Sequence, residues 1–391
     1  MKSRGLRQPM ALVAVLMMWV TLAACSAGSG SVSGGGASGS VTSEAAQPPS
    51  VSVDDGETGV APNTPVTVTA PAGLDELVLT NDAGKEVEGE FNADKTQWTT
   101  AEPLGYGRTY TFEGSDKAGN SIDTAFTTVY PDAQTNAYLG PVDGAQVGVA
   151  QAVNIRFSTP PQDQKAVEKA ITVTTSNNTE GAFYWLDPYE LRWRPKNYWE
   201  PGTSVSVKAA LYGEDLGGGV YGAQDVETSF TIGDAVITKV DNATKTLTVY
   251  RNGEAVNSFP VSLGKDYQFD TPNGVYVVGD RNETLRMDSR TYGLSLDAGG
   301  YVTDVKNATQ LSYSGIYVHS APWALWALGS VNQSHGCINA SPADAAWFLQ
   351  NSSVGDPVEV VNTYGGTLTG TDGLGYWNIP WSEWEGGSGG A

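Results

Sequence analysis

The sequence predicts a mainly β chain: two tandem immunoglobulin-like β-sandwiches, then a differently patterned β-rich domain, then a tryptophan-rich C-terminal piece. Three observations carry this. Short alternating apolar and polar runs recur between 51 and 233, among them VTVTA (66–70), TYTFEG (109–114), VNIRFS (153–158) and SVSVKAAL (204–211), separated by Gly, Pro, Asn and Asp. Trp98, Gly107 and Tyr110 return as Trp193, Gly202 and Val205, each offset by 95 residues. Each set precedes a last strand, DTAFTTV or ETSFTIG. That period with many short strands suits two sandwiches, 51–131 and 132–233, with one large β domain as the alternative. From 234 the repeat stops and the strand pattern changes.

The N-terminus speaks to compartment. Lys2, Arg4 and Arg7 precede the apolar run MALVAVLMMWVTLAA and then Cys25. A run of roughly 15 residues is short for a membrane span and suits a signal peptide. LAAC (22–25) resembles a bacterial lipobox, which implies cleavage after residue 24 and acylation of Cys25, palmitate included; an ordinary signal peptide with a chance cysteine is the alternative. The Gly/Ser stretch that follows, within 25–50, reads as a tether. With 43 acidic against 22 basic side chains and a net charge of −21, the chain lacks the basic face that nucleic acid requires.

Residues 234–362 begin with three strands in AVITKVDNATKTLTVYRNGEAVNSFPVSLG. Asn252-Gly253 between apolar runs is a strong hairpin signal, and Leu247 and Val249 share a face that should be core. Residues 280–312 are polar and weakly periodic, which predicts a long excursion over the sheet. GIYVHS is a short strand ending at His319. SPADAAWFLQNS is the clearest helix, with Ser341 as cap and Pro342 at its first position. DPVEVVN closes the domain. In 363–391, Trp377, Trp381 and Trp384 need burial, which predicts a tail clamped onto the body at a domain junction; a carbohydrate-stacking surface is the sharper alternative. GGSGGA should be disordered.

The chemistry concentrates in one place. The chain has two cysteines and two histidines. If Cys25 carries lipid, Cys337 is left without a partner, and an unpaired thiol in a secreted protein is either inert or kept for chemistry. His319 and His335 are its near neighbours. An imidazole close in space lets a thiol act as a nucleophile. Gly336 permits a tight backbone beside it, amides around Gly336 and Cys337 could face an oxyanion, and Ser320 could orient His319. Packing residues, or a zinc set of Cys337, His319 and His335, are the other readings; the spacing fits no common zinc pattern and 319–339 holds no carboxylate.

GIYVHSAPW followed by SHGCINASPADAAWF resembles the active-site signature of the YkuD-type L,D-transpeptidases of the bacterial cell wall. The domain order resembles the actinobacterial lipoprotein members, and the resemblance covers residues 25–385. It implies a β-sandwich-like catalytic domain under a lid. The implied reaction is attack of a Cys thiolate on the diaminopimelate carbonyl of a tetrapeptide stem, release of D-Ala, and transfer of the acyl group to a second stem to make a 3→3 crosslink. By position it implies Cys337 as nucleophile, His319 as base and Ser320 as its orienting partner. Ser334, His335, Gly336 and Asn339 would shape the cysteine loop. Tyr301, Met287 and Tyr292 fall on the lid, and Ser314, Gly315 and Trp323 would line the substrate groove. No metal or cofactor is implied. Peptidoglycan stems are the implied partners, carbapenem β-lactams the implied covalent inhibitors, and the outer face of the cytoplasmic membrane the implied location, through lipid on Cys25. Glu283, Asp288, Asp297 and Asp304 predict an acidic lid that attracts a cationic amine, or a merely solvated one. An L,D-carboxypeptidase or endopeptidase on the same stems, or a non-catalytic wall-binding lipoprotein, would share much of this sequence.

Overall fold

The computed structural model describes residues 47–387. The signal segment, Cys25, nearly all of the tether and the last four residues lie outside the described residues. Among the described residues, no helix is long and apolar enough to cross a membrane.

The echo in the sequence is a repeat of topology. One sheet orders Ser50–Val51, Thr67–Thr69, Gln97–Thr100 and Gly89–Phe91; it faces Glu57–Val60, Ser121–Thr128, Thr109–Asp116 and Leu74–Asn81. The same two orders recur as Ala137–Gly140, Val153–Phe157, Glu190–Pro195, Gly181–Asp187 and as Ala145–Val147, Val226–Ile232, Ser204–Ala209, Ile171–Thr175. Trp98 pairs with Val68 as Trp193 pairs with Val153. Beside each indole, on the edge strand, stands a glycine, Gly89 or Gly181, whose Cβ would strike the ring. Gly107 and Gly202 both hold positive φ, 60° and 82°. Trp98 packs with Phe112 and Phe126, Trp193 with Ile155, Leu191 and Phe230. These are immunoglobulin-like β-sandwiches.

The region from 234 to 362 has two sheets. The five-stranded one orders Glu254–Pro260, Thr246–Arg251, Val236–Asp241, Pro357–Val361 and Gly274–Val277. Asn252 and Gly253 turn its hairpin with φ of 50° and 88°, the left-handed pair a two-residue type I′ turn demands. Leu247 and Val249 are buried, as their alternation predicts. The four-stranded sheet orders Arg281–Asp288, Val302–Gln310, Tyr317–Ser320 and Ile338–Ala340. The helix Pro342–Asn351 forms as its signals predict, Ser341 Oγ accepting from the Asp344 amide at 3.1 Å. Its Ala345 and Phe348 join Val318, Ile338 and Ala340 in the core between the sheets.

The polar excursion of 280–312 is instead a long hairpin, paired from Arg281↔Thr309 to Asp288↔Val302, with two 3-10 turns at its tip. It read as loop because its inward face is sparse: Leu285, Met287, Thr303 and Val305, partly or fully buried, alternate with exposed Thr284, Arg286, Asp304 and Lys306, an alternation carried by few apolar residues in a polar stretch.

The tail clamps. Tyr376, Ile379 and Trp384 pack with Ala150, Ala152 and Tyr184 of the second sandwich and Val277 of the five-stranded sheet. The buried guanidinium of Arg194 lies 4.4 Å from the ring centre of Trp377 and 4.3 Å from that of Trp384, and donates to the Ile379 carbonyl at 2.9 Å. The Trp377 indole N–H donates to the Ala150 carbonyl at 2.8 Å. The indoles are spent on an internal seam, not held out for carbohydrate.

Candidate active site

Two parallel strands bring the scarce residues together. Val318 pairs with Ile338 and His319 with Asn339, so Cys337, one step before Ile338, lies diagonally across from His319. Diagonal neighbours in a sheet stand roughly 7–8 Å apart at Cα, close enough for side chains to converge. They do: His319 and Cys337 line one cavity of about 250 Å³ with Met287, Tyr301, Thr303, Trp323, Gln333, Ser334, His335 and Asn339.

The imidazole is oriented from behind. Its Nδ1 lies 3.0 Å from the Ser320 carbonyl oxygen. A carbonyl only accepts, so Nδ1 carries the proton and Nε2 is left as the basic nitrogen. The orienting atom of Ser320 is thus its backbone oxygen. Burial pushes the His319 pKa below its ordinary value, opposed by that hydrogen bond, which keeps the ring neutral near pH 7.

Cys337 is 3% exposed. Burial pushes the thiol up to about 11, against the Tyr317 amide and the Tyr301 hydroxyl, which pull it down. The thiol donates to the Gly315 carbonyl at 3.4 Å. At rest the cavity therefore holds a neutral thiol, turned to the Gly315 carbonyl, and a neutral imidazole, and a thiolate would arise only as the proton moves. Burial also raises the pKa of Tyr301, so its hydroxyl stays protonated over the sulfur.

The cysteine loop is fixed by local chemistry. Gly336 has φ of 118°, where a side chain would be strained. Ser334 Oγ donates to the Cys337 carbonyl at 2.5 Å and accepts from the Gly336 amide at 3.1 Å. The Gly336 N–H is thereby committed, which corrects its expected role as an oxyanion donor. Thr271 Oγ1 donates to the Gly336 carbonyl at 2.7 Å and accepts from the Gly264 amide at 2.9 Å. At Gly264 a Cβ would lie 2.9 Å from the Gly336 Cα.

His335 serves the lid more than the loop. Its Nε2 donates to the Gly299 carbonyl at 3.0 Å, and its ring lies 4.4 Å from Phe269 and 4.9 Å from Tyr301. Asn339 is buried and pairs through its backbone with Ser262. Met287 packs with Cys337. Tyr292 is outside the cavity lining; its hydroxyl lies 3.2 Å from that of Tyr317 and its ring covers Gly315. Gly315, with φ of 95°, offers its carbonyl to the thiol. Ser314 points elsewhere, its amide donating to Asp372 at 3.0 Å, so the structure does not bring its amide to the groove. Among the described residues, no group of three or more His, Cys, Asp and Glu side chains is arranged to hold a metal ion.

The lid is not a bare acidic collar. Asp288 caps the tip and pairs with Arg290, Nε to Oδ1 at 2.9 Å, which holds its carboxyl down at about 2. Asp304 stands opposite Arg286 across the hairpin. Sequence reasoning missed Thr303, Gln333, Tyr317 and Thr271. Thr303 follows Tyr301 by two and so shares its strand face, a signal readable only once 302–310 is known as a strand. Thr271 and Tyr317 reach the loop through tertiary contacts that leave no local pattern.

Comparison with known proteins agrees with this arrangement. A bacterial Ig domain model matches residues 57–215 and an L,D-transpeptidase catalytic domain model matches 235–360. The chain is 50% identical to L,D-transpeptidase 2 of Mycobacterium tuberculosis over 342 residues, 86% of this chain and 84% of that relative. It is 36% identical to L,D-transpeptidase 5 of the same species over 84% of this chain and 74% of that one. Among solved structures, an L,D-transpeptidase in complex with imipenem matches with a TM-score of 0.51 and 40% identity, covering 59% of this chain and all of that one. With its sandwiches, its two-sheet catalytic region and half of its residues shared across most of such a relative, the chain belongs to the L,D-transpeptidases.

Proposed function

We propose that this transpeptidase crosslinks peptidoglycan through an acyl-enzyme on Cys337. The observation that carries the reading is the convergence of Cys337 and His319 on one cavity, with Nδ1 of His319 occupied by the Ser320 carbonyl. As Sγ attacks the carbonyl carbon at the third residue of a tetrapeptide stem, its proton passes to Nε2 of His319. The hydroxyl of Tyr301, already beside the sulfur, donates to the oxyanion. Collapse expels D-Ala, whose amine takes the proton from Nε2, and leaves a thioester. The amine of a second stem then attacks that thioester carbonyl, yields a proton to Nε2, and the sulfur leaves and is reprotonated. The lid hairpin keeps water from the thioester and so favours an amine acceptor.

Further parts of the proposal rest on the sequence. Acylated Cys25 anchors the chain at the outer face of the cytoplasmic membrane, the sandwiches at 51–131 and 132–233 serve as a spacer, and carbapenems acylate Cys337. Purified protein incubated with stem tetrapeptides should yield crosslinked dimers by mass spectrometry, and Cys337→Ala none. Trimmed monomers without dimers would make the enzyme a hydrolase. A carbapenem adduct of equal yield on wild type and Cys337→Ala would remove that cysteine from the mechanism.

A further inference from the structure

A short 3-10 helix, Pro322–Ala327, leaves the His319 strand at once. Its side chains are sorted in reverse of the usual order. Ala324 and Ala327 are buried, whereas Trp323, Leu325 and Trp326 are 54%, 51% and 67% exposed. Large apolar groups held out together beside a reactive cavity mark a contact surface. With three residues per turn, positions i and i+3 of a 3-10 helix eclipse, so Trp323 and Trp326 stand on one side, about 6 Å apart along the axis. Trp323 borders the cavity, its ring centre 6.1 Å from that of His319. Trp326 continues that line outward.

We propose that Trp326, with Leu325 and the outer edge of Trp323, forms a platform for the sugar chain from which the reacting stem hangs; this rests on the transpeptidase reading above. Three stem residues span at most about 10 Å, so a stem whose third carbonyl meets Cys337 must hold its sugar close to the cavity rim. The stem itself is polar and charged and gives an exposed indole little to cover. A pyranose presents a flat face of C–H groups, which packs on an aromatic face, with hydroxyls left at the edge for water. An anionic lipid surface is the poorer occupant, because the chain carries a net charge of −21.

The test compares two substrates of the full-length enzyme: a free tetrapeptide stem, and the same stem joined to its disaccharide. The wild type should favour the sugar-bearing stem by about five- to tenfold in kcat/KM. Trp326→Ala should abolish that preference and keep turnover of the free stem within about twofold. Trp326→Phe should retain most of the preference. A wild type that turns over both substrates equally overturns the platform. So does a Trp326→Ala enzyme that keeps the preference, or one that loses both activities in parallel. Flotation of the Cys25→Ser chain with phosphatidylglycerol vesicles, lost on Trp326→Ala, would assign the patch to a membrane and overturn it as well. A wild type that turns over neither substrate overturns the transpeptidase reading, and the platform with it.

Discussion

The imidazole of His335 donates from Nε2 to the carbonyl oxygen of Gly299 at 3.0 Å, so the residue two before Cys337 fastens the tip of the lid hairpin. A histidine read from the sequence as part of the cysteine loop is placed as a latch between loop and lid. His335→Ala removes one hydrogen bond worth about 0.5–1.5 kcal/mol, and should raise the ratio of hydrolysed monomer to crosslinked dimer by roughly two- to tenfold. An unchanged product ratio with normal turnover would show that this contact does not govern closure.

The resting electrostatics set the pH profile. Burial lowers the His319 pKa and lifts the Cys337 thiol to about 11. The acid limb of kcat/KM should therefore fall below the ordinary histidine value of about 6.5, and alkylation of the substrate-free enzyme by iodoacetamide should climb toward pH 11. A plateau in alkylation below pH 8 would mean a preformed thiolate–imidazolium pair and refute the neutral resting state.

Asp356 ties stability to pH. It is 2% exposed, its Oδ2 accepts from the Ser353 amide at 2.7 Å, and burial raises its pKa to about 7. Its folded value exceeds its unfolded value of about 4. The folded state thus binds the extra proton between those values, and the stability it contributes is present at low pH and lost as pH rises through 7. Asp356→Asn should gain about 1–2 kcal/mol at pH 8 and flatten that part of the profile. Parallel denaturation curves for the two proteins from pH 5 to 8 would count against it.

Trp384 is fully buried between the second sandwich and the catalytic sheet, its indole N–H donating to the Ala182 carbonyl at 2.9 Å. Trp384→Ala should cost about 3–5 kcal/mol, read as a lower denaturant midpoint. It also leaves Arg194, whose Nε has no hydrogen-bond partner, with one aromatic face fewer. A loss below about 1 kcal/mol would show the seam to be loosely packed.

Much of this was legible because some signals are local. The Asn252-Gly253 turn, the Ser341 cap and the Trp98/Trp193 echo each depend on residues near in sequence or on repetition. So does the conjunction of His319 and Cys337 in a chain nearly devoid of both types. The lid hairpin was not legible, because its inward face carries only Leu285, Met287 and Val305 among polar residues, too few to stand out as alternation. The commitment of the Gly336 amide was not legible either, because it depends on which way the Ser334 hydroxyl turns. Nor was the support of Thr271, 65 residues away from Gly336.

The seam sealed by Tyr376 and Trp384 has a temporal corollary. A polypeptide made from its amino end delivers the sandwiches first and the seam-filling residues only after the whole of 234–362. The catalytic sheet can assemble beforehand and meet the second sandwich through the Gly148 and Ala150 amides, which donate to the Val354 and Gly355 carbonyls at 2.8 and 2.9 Å, yet the seam beside that contact stays unfilled until the late stretch arrives. A cut near Gly373 would accordingly free the seam-filling residues without touching a single reacting atom.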